Sequence, residues 1–166
     1  ASMSELCSTR KRTVFGSGNM NAQILFLGES PGQNEDIQGL PFVGKAGQLL
    51  TSILKSINLE RENVYIANTI KCRPPNNRTP KEEEIKNCSN FLNKQIDVIN
   101  PEYIVCLGSV ASNAIVGLPI SQARGKWFKY KKSKVLCTYH PSFLLRQPSA
   151  KKDVWNDLQM LVKDIK

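Results

Sequence analysis

The chain holds one histidine, His140, inside "TYHPSFLLR" (138–146). An imidazole can move a proton, or donate a hydrogen bond to an oxygen that gains negative charge during a reaction. A lone histidine is ordinarily a satisfied structural ring, so its surroundings must decide. Carboxylates able to position water or face a cation cluster in "GESPGQNED" (28–36): Glu29, Glu35 and Asp36. Alternatively they are solvated loop charges. Gly28 and Gly32 of that stretch permit close approach of a ligand to the backbone. Asn68 ends the apolar run "VYIAN". A buried amide sets a donor beside an acceptor, which suits reading the edge of a nucleobase. Phe42, in "GLPFVGKAG", either caps the core or offers a stacking face to a planar base.

Charge narrows the partner. Lys and Arg total 23 against 14 Asp and Glu, a net charge of +9. That favours a polyanion, most simply nucleic acid. Arg73 and Arg78 lie in "RPPNNRTP", which reads either as a solvated crossover or as a phosphate contact. Lys126, Lys129, Lys131, Lys132 and Lys134 surround a hairpin-like stretch and form a generic basic face. "GESPG" is neither a dinucleotide fingerprint nor a phosphate-binding Walker loop, because G-x-G-x-x-G and G-K-[ST] are absent. No apolar run approaches the roughly 20 residues of a membrane span, and no signal peptide opens the chain. Residues 1–3 read as a cloning remnant with the native start at Met3. A cytoplasmic, monomeric protein is the expectation.

The elements that must position these residues follow from the apolar pattern. "QILFLG" (23–28), "VYIANTI" (64–70), "EYIVCLG" (102–108) and "KVLCTY" (134–139) are short and rich in branched or aromatic residues. Near-continuous apolar runs suit strands buried on both faces, as in a parallel sheet. Helical spacing lies between them, in "GKAGQLLTSILKSIN", "TPKEEEIKNCSNFLNKQIDVI", "SVASNAIVG" and "SAKKDVWNDLQMLVKDI". The alternation implies one α/β domain over residues 1–166, with helices on both faces of the sheet. Ligands in such folds sit beyond the carboxyl ends of the strands. Glu29, Asn68, "GSVAS" and His140 all follow or end strands, so the histidine lands on the functional rim. The cysteines are Cys7, Cys72, Cys88, Cys106 and Cys137. Cys106 and Cys137 sit at core strand positions, where cysteine acts as a small hydrophobe. Cys72 and Cys88 flank a polar, proline-rich stretch instead.

Taken together, these stretches resemble the family 4 uracil-DNA glycosylases, the iron–sulfur branch of their superfamily. The resemblance is carried by "VFGSGN", "GESPGQNEDIQGLPFVGKAGQLL", "VYIANTIKCRPPNNRTP", the C-x15-C pair Cys72/Cys88, "RGKWF" and "TYHPSFLLR". It implies hydrolysis of the N-glycosidic bond of uracil flipped out of DNA, the start of base excision repair. It also implies a three-layer sandwich around a four-stranded parallel sheet. By resemblance, Phe42 stacks on uracil, Asn68 reads its edge, and His140 faces its O2. Gly28 and Ser30 line the pocket; Ser30 stands where the family usually has Ala or Gly. Glu29 and Glu35 match acids tied to catalysis or pocket shape, and the two stay unranked. Arg73 and Arg78 would contact phosphates. Ser142, Phe143, Leu144, Leu145 and Arg146 match the loop that enters the DNA where the base leaves, with the three apolar residues as wedges.

The resemblance also implies a [4Fe–4S] cluster on four cysteine thiolates. Counting back from "VFG", the two N-terminal ligand positions fall on Ala1 and Ser4, which offer no thiolate. Cys7 is near but out of register. Three readings stand: the ligands were lost by truncation or substitution, Cys7 is recruited beside Cys72 and Cys88, or the protein carries no cluster. Two rival functions stand beside this one. A relative that traps DNA covalently carries a histidine-bearing insertion after the second strand, and here Cys72 runs straight into "RPPNNRTP". A non-catalytic nucleic-acid-binding module on the same fold is the other.

Overall fold

The four apolar runs become the middle of one sheet. The computed structural model describes residues 16–29, 43–69 and 92–165. Its strands are β1 (Ser17–Gly18), β2 (Ile24–Gly28), β3 (Tyr65–Asn68), β4 (Tyr103–Leu107), β5 (Trp127–Tyr130) and β6 (Ser133–Thr138). Its helices are α1 (Lys45–Ser56), α2 (92–99), α3 (Ser109–Ile115), α4 (Ile120–Ala123), α5 (Pro141–Arg146) and α6 (Lys151–Ile165). The sheet order is β1-β3-β2-β4-β6-β5.

The expectation of a four-stranded parallel sheet needs correcting. Among the described residues the sheet has six strands and is mixed. β3, β2, β4 and β6 are mutually parallel, and β1 and β5 add antiparallel edges. The edges escape a pattern search for physical reasons. β1 is two residues long, and at Gly18 a Cβ would sit 2.0 Å from the Val64 carbonyl oxygen. Among the described residues β5 is an edge strand paired only with β6, so its burial is partial and its apolar signal weak.

Every residue of β2, β3 and β4 is buried, and in β6 only Lys134 is exposed. Alternate residues feed two cores, as the two-residue strand period requires. Phe26, Ile66, Val105 and Leu136 pack with Leu50 and Leu54 of α1 and with Val154, Leu158 and Leu161 of α6. Leu25, Leu27, Ile104, Cys106, Val135 and Cys137 pack with Leu92 and Ile96 of α2 and with Ala111 of α3. The two cysteines are thus free, buried core residues.

The apolar residues of α6 do not all face the core. Val154, Leu158 and Leu161 are buried, whereas Trp155 is 51% exposed. Its far end is tied to the sheet, because the Tyr103 hydroxyl donates to Asp164 (2.6 Å) and Lys134 Nζ pairs with the same carboxylate (2.9 Å). Lys131 pairs with Asp97 at 2.8 Å, so part of the basic face read from sequence is matched by acids. No helix among the described residues is long and apolar enough to cross a membrane.

The chain crosses from β3 on one side of β2 to β4 on the other. A sheet built that way opens a crevice beyond the carboxyl ends of its central strands, next to β2. Glu29 leaves β2 at that point.

Candidate active site

The register aligns the strand ends. Gly28 pairs with Asn68, and Leu107 pairs with Thr138. Thr69 secures the first pair by donating its backbone N–H (2.9 Å) and its hydroxyl (2.8 Å) to the Gly28 carbonyl. Gly28 therefore serves as a strand terminus that fixes its neighbours. Asn68 is only 2% exposed at the end of β3. The Gly108 N–H donates to the Thr138 carbonyl (2.9 Å), tying the exits of β4 and β6 together.

His140 comes two residues after β6 and caps α5. Its Nδ1 accepts the Ser142 backbone N–H at 3.0 Å, and the Ser142 hydroxyl lies 2.8 Å from the same nitrogen. Pro141 occupies the first turn, where a missing N–H costs nothing. The His140 carbonyl accepts from the Phe143 N–H at 2.9 Å. A backbone amide can only donate, so Nδ1 must present its lone pair. The ring hydrogen of the neutral imidazole then sits on Nε2. The cap thus selects the tautomer that offers Nε2–H as a donor.

Gly108 shapes the space beside this ring. Its backbone lies at φ +91 and ψ 175, a region that only glycine occupies without strain. A Cβ there would stand 3.0 Å from His140 Cβ and 3.8 Å from Cδ2. His140 therefore lies against the residue that follows β4. That leaves about two strand spacings, ~10 Å, between it and the strand bearing Asn68.

Glu29 is half-buried between them. Burial pushes its carboxyl above the ordinary glutamate value, and the positive charge of Arg146 pulls it partly back. The end of α5 and the end of β2 therefore act on one another electrostatically.

α5 differs from the loop that the resemblance implies for "PSFLLR". The six-residue helix redistributes the expected wedges. Leu144 is 1% exposed and belongs to the core, so it is not available to enter DNA. Its side chain points back under the helix against α1 and α6. Phe143 is half-buried, with its ring 4.8 Å from that of Tyr139, and the Arg146 guanidinium lies 6.0 Å from the Phe143 ring centre. Leu145 is 48% exposed and projects outward. Of the predicted site residues, the structure pairs Gly28 with Asn68, joins His140 to Ser142, and sets Arg146 within electrostatic reach of Glu29. Ala1, Ser4, Cys7, Ser30, Glu35, Phe42, Cys72, Arg73, Arg78 and Cys88 lie outside the described residues. Sequence reasoning put "GSVAS" on the rim but gave Gly108 no role, since its only signal was a glycine directly after a strand.

Comparison with known proteins identifies the family. Residues 15–159 match the Uracil DNA glycosylase superfamily. The chain is similar to the Type-4 uracil-DNA glycosylase of Archaeoglobus fulgidus, with 44% identity over 95% of this chain and 84% of that protein. It is 46% identical to the Type-4 uracil-DNA glycosylase of Thermotoga maritima over 92% of this chain and 79% of that one. A Type-5 uracil-DNA glycosylase of Pyrobaculum aerophilum is 31% identical over 75% of this chain and 63% of its own length. The chain belongs to the uracil-DNA glycosylase superfamily, and within it to the type-4 enzymes.

Proposed function

We propose that this protein excises uracil from DNA by hydrolysing its N-glycosidic bond. The observation that carries the reading is the His140 cap, which makes Nε2 the protonated ring nitrogen at the carboxyl edge of the sheet where Glu29 and Asn68 also end their strands. A base inside a duplex is out of reach, so it is flipped out at a cost of a few kcal/mol. In this reading the flipped base lies between Asn68 and His140, across the roughly two strand spacings, ~10 Å, that separate the ends of β3 and β4. Bond cleavage leaves negative charge on uracil O2 and positive charge on the sugar. A donor aimed at that oxygen stabilises the transition state, and losing one typically costs on the order of 10²–10³ in rate.

Asn68 supplies specificity, since uracil and cytosine reverse donor and acceptor at N3 and the 4-position. A carboxylate, Glu29 or Glu35, orients water and favours the cationic sugar. Arg146 helps keep Glu29 in that charged form. Leu145 is the residue of α5 suited to fill the gap left in the stack, with Phe143 behind it. Phe42 stacks on the base, Ser30 lines the pocket, and Arg73 and Arg78 grip phosphates. The reaction acts on DNA, single- or double-stranded, in the cytoplasm, by a monomer.

The family's [4Fe–4S] cluster needs four thiolates. This donor set does not supply them: Cys72 and Cys88 are joined only by the off-register Cys7, with Ala1 and Ser4 at the other positions. Among the described residues, no group of three His, Cys, Asp or Glu could hold a metal. The chemistry above uses no cluster. An iron assay and a broad absorption band at ~400 nm separate a three-cysteine site from none.

The test is excision from single- and double-stranded uracil oligonucleotides. His140→Asn keeps a good helix cap, because asparagine is among the favoured capping residues, so it isolates the chemistry. Excision should fall on the order of 10²–10³-fold. Wild-type protein that binds these strands but releases no uracil would establish the non-catalytic module instead.

A further inference from the structure

The "RGKWF" stretch is part of the resemblance, yet the reaction assigns no task to its arginine. Arg124 follows α4 and meets Asp157 of α6 in a two-pronged contact. Nε donates to Oδ2 at 3.2 Å and Nη2 to Oδ1 at 3.1 Å. Asp157 is 3% exposed. It also accepts the Thr138 hydroxyl at 2.7 Å. The Arg124 guanidinium lies 5.1 Å from the centre of the Tyr139 ring, and Tyr139 packs on Phe143. Asp153 is a looser neighbour, 3.8 Å from Arg124.

Thr138 and Tyr139 are the two residues immediately before His140. One is held by the carboxylate and the other by the guanidinium that the carboxylate orients. Phe143, just beyond the cap, is clamped by the same stack. We propose that Arg124 and Asp157 are positioning residues for His140, fixing the exit of β6 so that Nε2 points into the site. The proposal rests on His140 acting in the reaction.

The energetics argue against a purely structural tether. Burying a carboxylate costs several kcal/mol, and apolar replacements of buried ion pairs are often as stable or more so. The alignment of β6 is already set by its five paired residues with β4. What that ladder leaves open is the path of the chain after Thr138, where the network acts. A displacement of about 1 Å at a reacting group can cost 10²-fold in rate.

The experiment uses Asp157→Asn, Thr138→Val and Arg124→Lys in the full chain. Single-turnover excision, binding to an uncleavable uracil-analogue oligonucleotide and thermal unfolding are measured for each. Because the chain has one histidine, its imidazole resonances report the ring directly by nitrogen–proton correlation. Asp157→Asn and Thr138→Val should slow excision about tenfold to 10²-fold. Oligonucleotide affinity should stay within about twofold, unfolding should stay cooperative, and the His140 resonances should shift. Each variant is repeated with His140→Asn, where non-additivity reveals action through a shared residue. Asp157→Asn should then slow excision no further. An equal loss in both backgrounds, or unchanged rate and resonances, would overturn the positioning role. A wild-type rate for His140→Asn alone would instead remove the catalytic reading beneath it. Should Asp157→Asn not fold, Thr138→Val, which leaves the ion pair intact, decides the matter.

Discussion

Replacing Gly108 by alanine tests the site at its tightest point. The backbone at φ +91 and ψ 175 strains any residue with a Cβ by about 1–3 kcal/mol. The new methyl would also stand 3.0 Å from His140 Cβ, whereas carbon atoms rest at about 3.5–4.0 Å. His140 must retreat by about 0.5–1 Å to restore contact. Domains of this kind are stable by about 5–15 kcal/mol, so the variant remains folded, with a melting temperature lowered by ~2–12 °C. The displaced donor should slow excision on the order of 10²-fold. Single-turnover kinetics at saturating enzyme separates this loss from DNA binding, which should change little. Calorimetry checks the stability. If the melting temperature falls as expected while excision stays at the wild-type rate, the placement of His140 against the end of β4 does not matter for the chemistry.

Arg146→Gln removes the charge that opposes the burial effect on Glu29, so the carboxyl should protonate at still higher pH. The acid limb of the single-turnover pH profile should move upward, and an unmoved limb would exclude Glu29 as the group titrating there. Stability follows the same sign: an acid whose folded value is raised favours the native state at low pH. That contribution is lost as pH rises through the folded value, and more is lost in the variant. Leu145→Ala should impair excision from duplex more than from single strands, because only a duplex leaves a gap to fill. Leu144→Ala should instead cost about 2–5 kcal/mol of stability in a denaturant titration. Equal duplex-to-single-strand ratios for the two variants would reverse the assignment of their side chains. Asn68→Asp should erode the preference for uracil over cytosine in a competition assay. Unchanged rate and preference would take Asn68 out of recognition.

The parallel centre of the sheet was legible because "ILFLG" and "YIVCL" are buried on both faces, and burial of that kind leaves little choice of residue. The rim followed from the strand ends, and with it the positions of Glu29, Asn68 and His140. α5 was not legible. It has six residues, shorter than the window in which a helical period shows, and histidine is not among the usual capping residues. Leu144 and Leu145 are adjacent and chemically identical, so only the helix decides that one is core and the other surface. The roles of Gly108 and Asp157 were invisible for a related reason. A backbone angle and a buried partner on another element leave no local mark in sequence.

The cap on α5 has a consequence for how this protein can change. The same imbalance of hydrogen bonds that aims His140 also starts the helix that carries Leu145 and Arg146. Six residues at 1.5 Å each make a rigid spacer of ~9 Å. In the proposed reaction, the place where a base is held and the place where its departure is compensated are therefore set by one ruler. A loop there could lengthen or shorten with little penalty. This segment cannot, because one inserted residue would rotate Leu145 by about 100° and carry Leu144 out of the core. Relatives that vary freely elsewhere on the rim should keep the length of this segment unchanged.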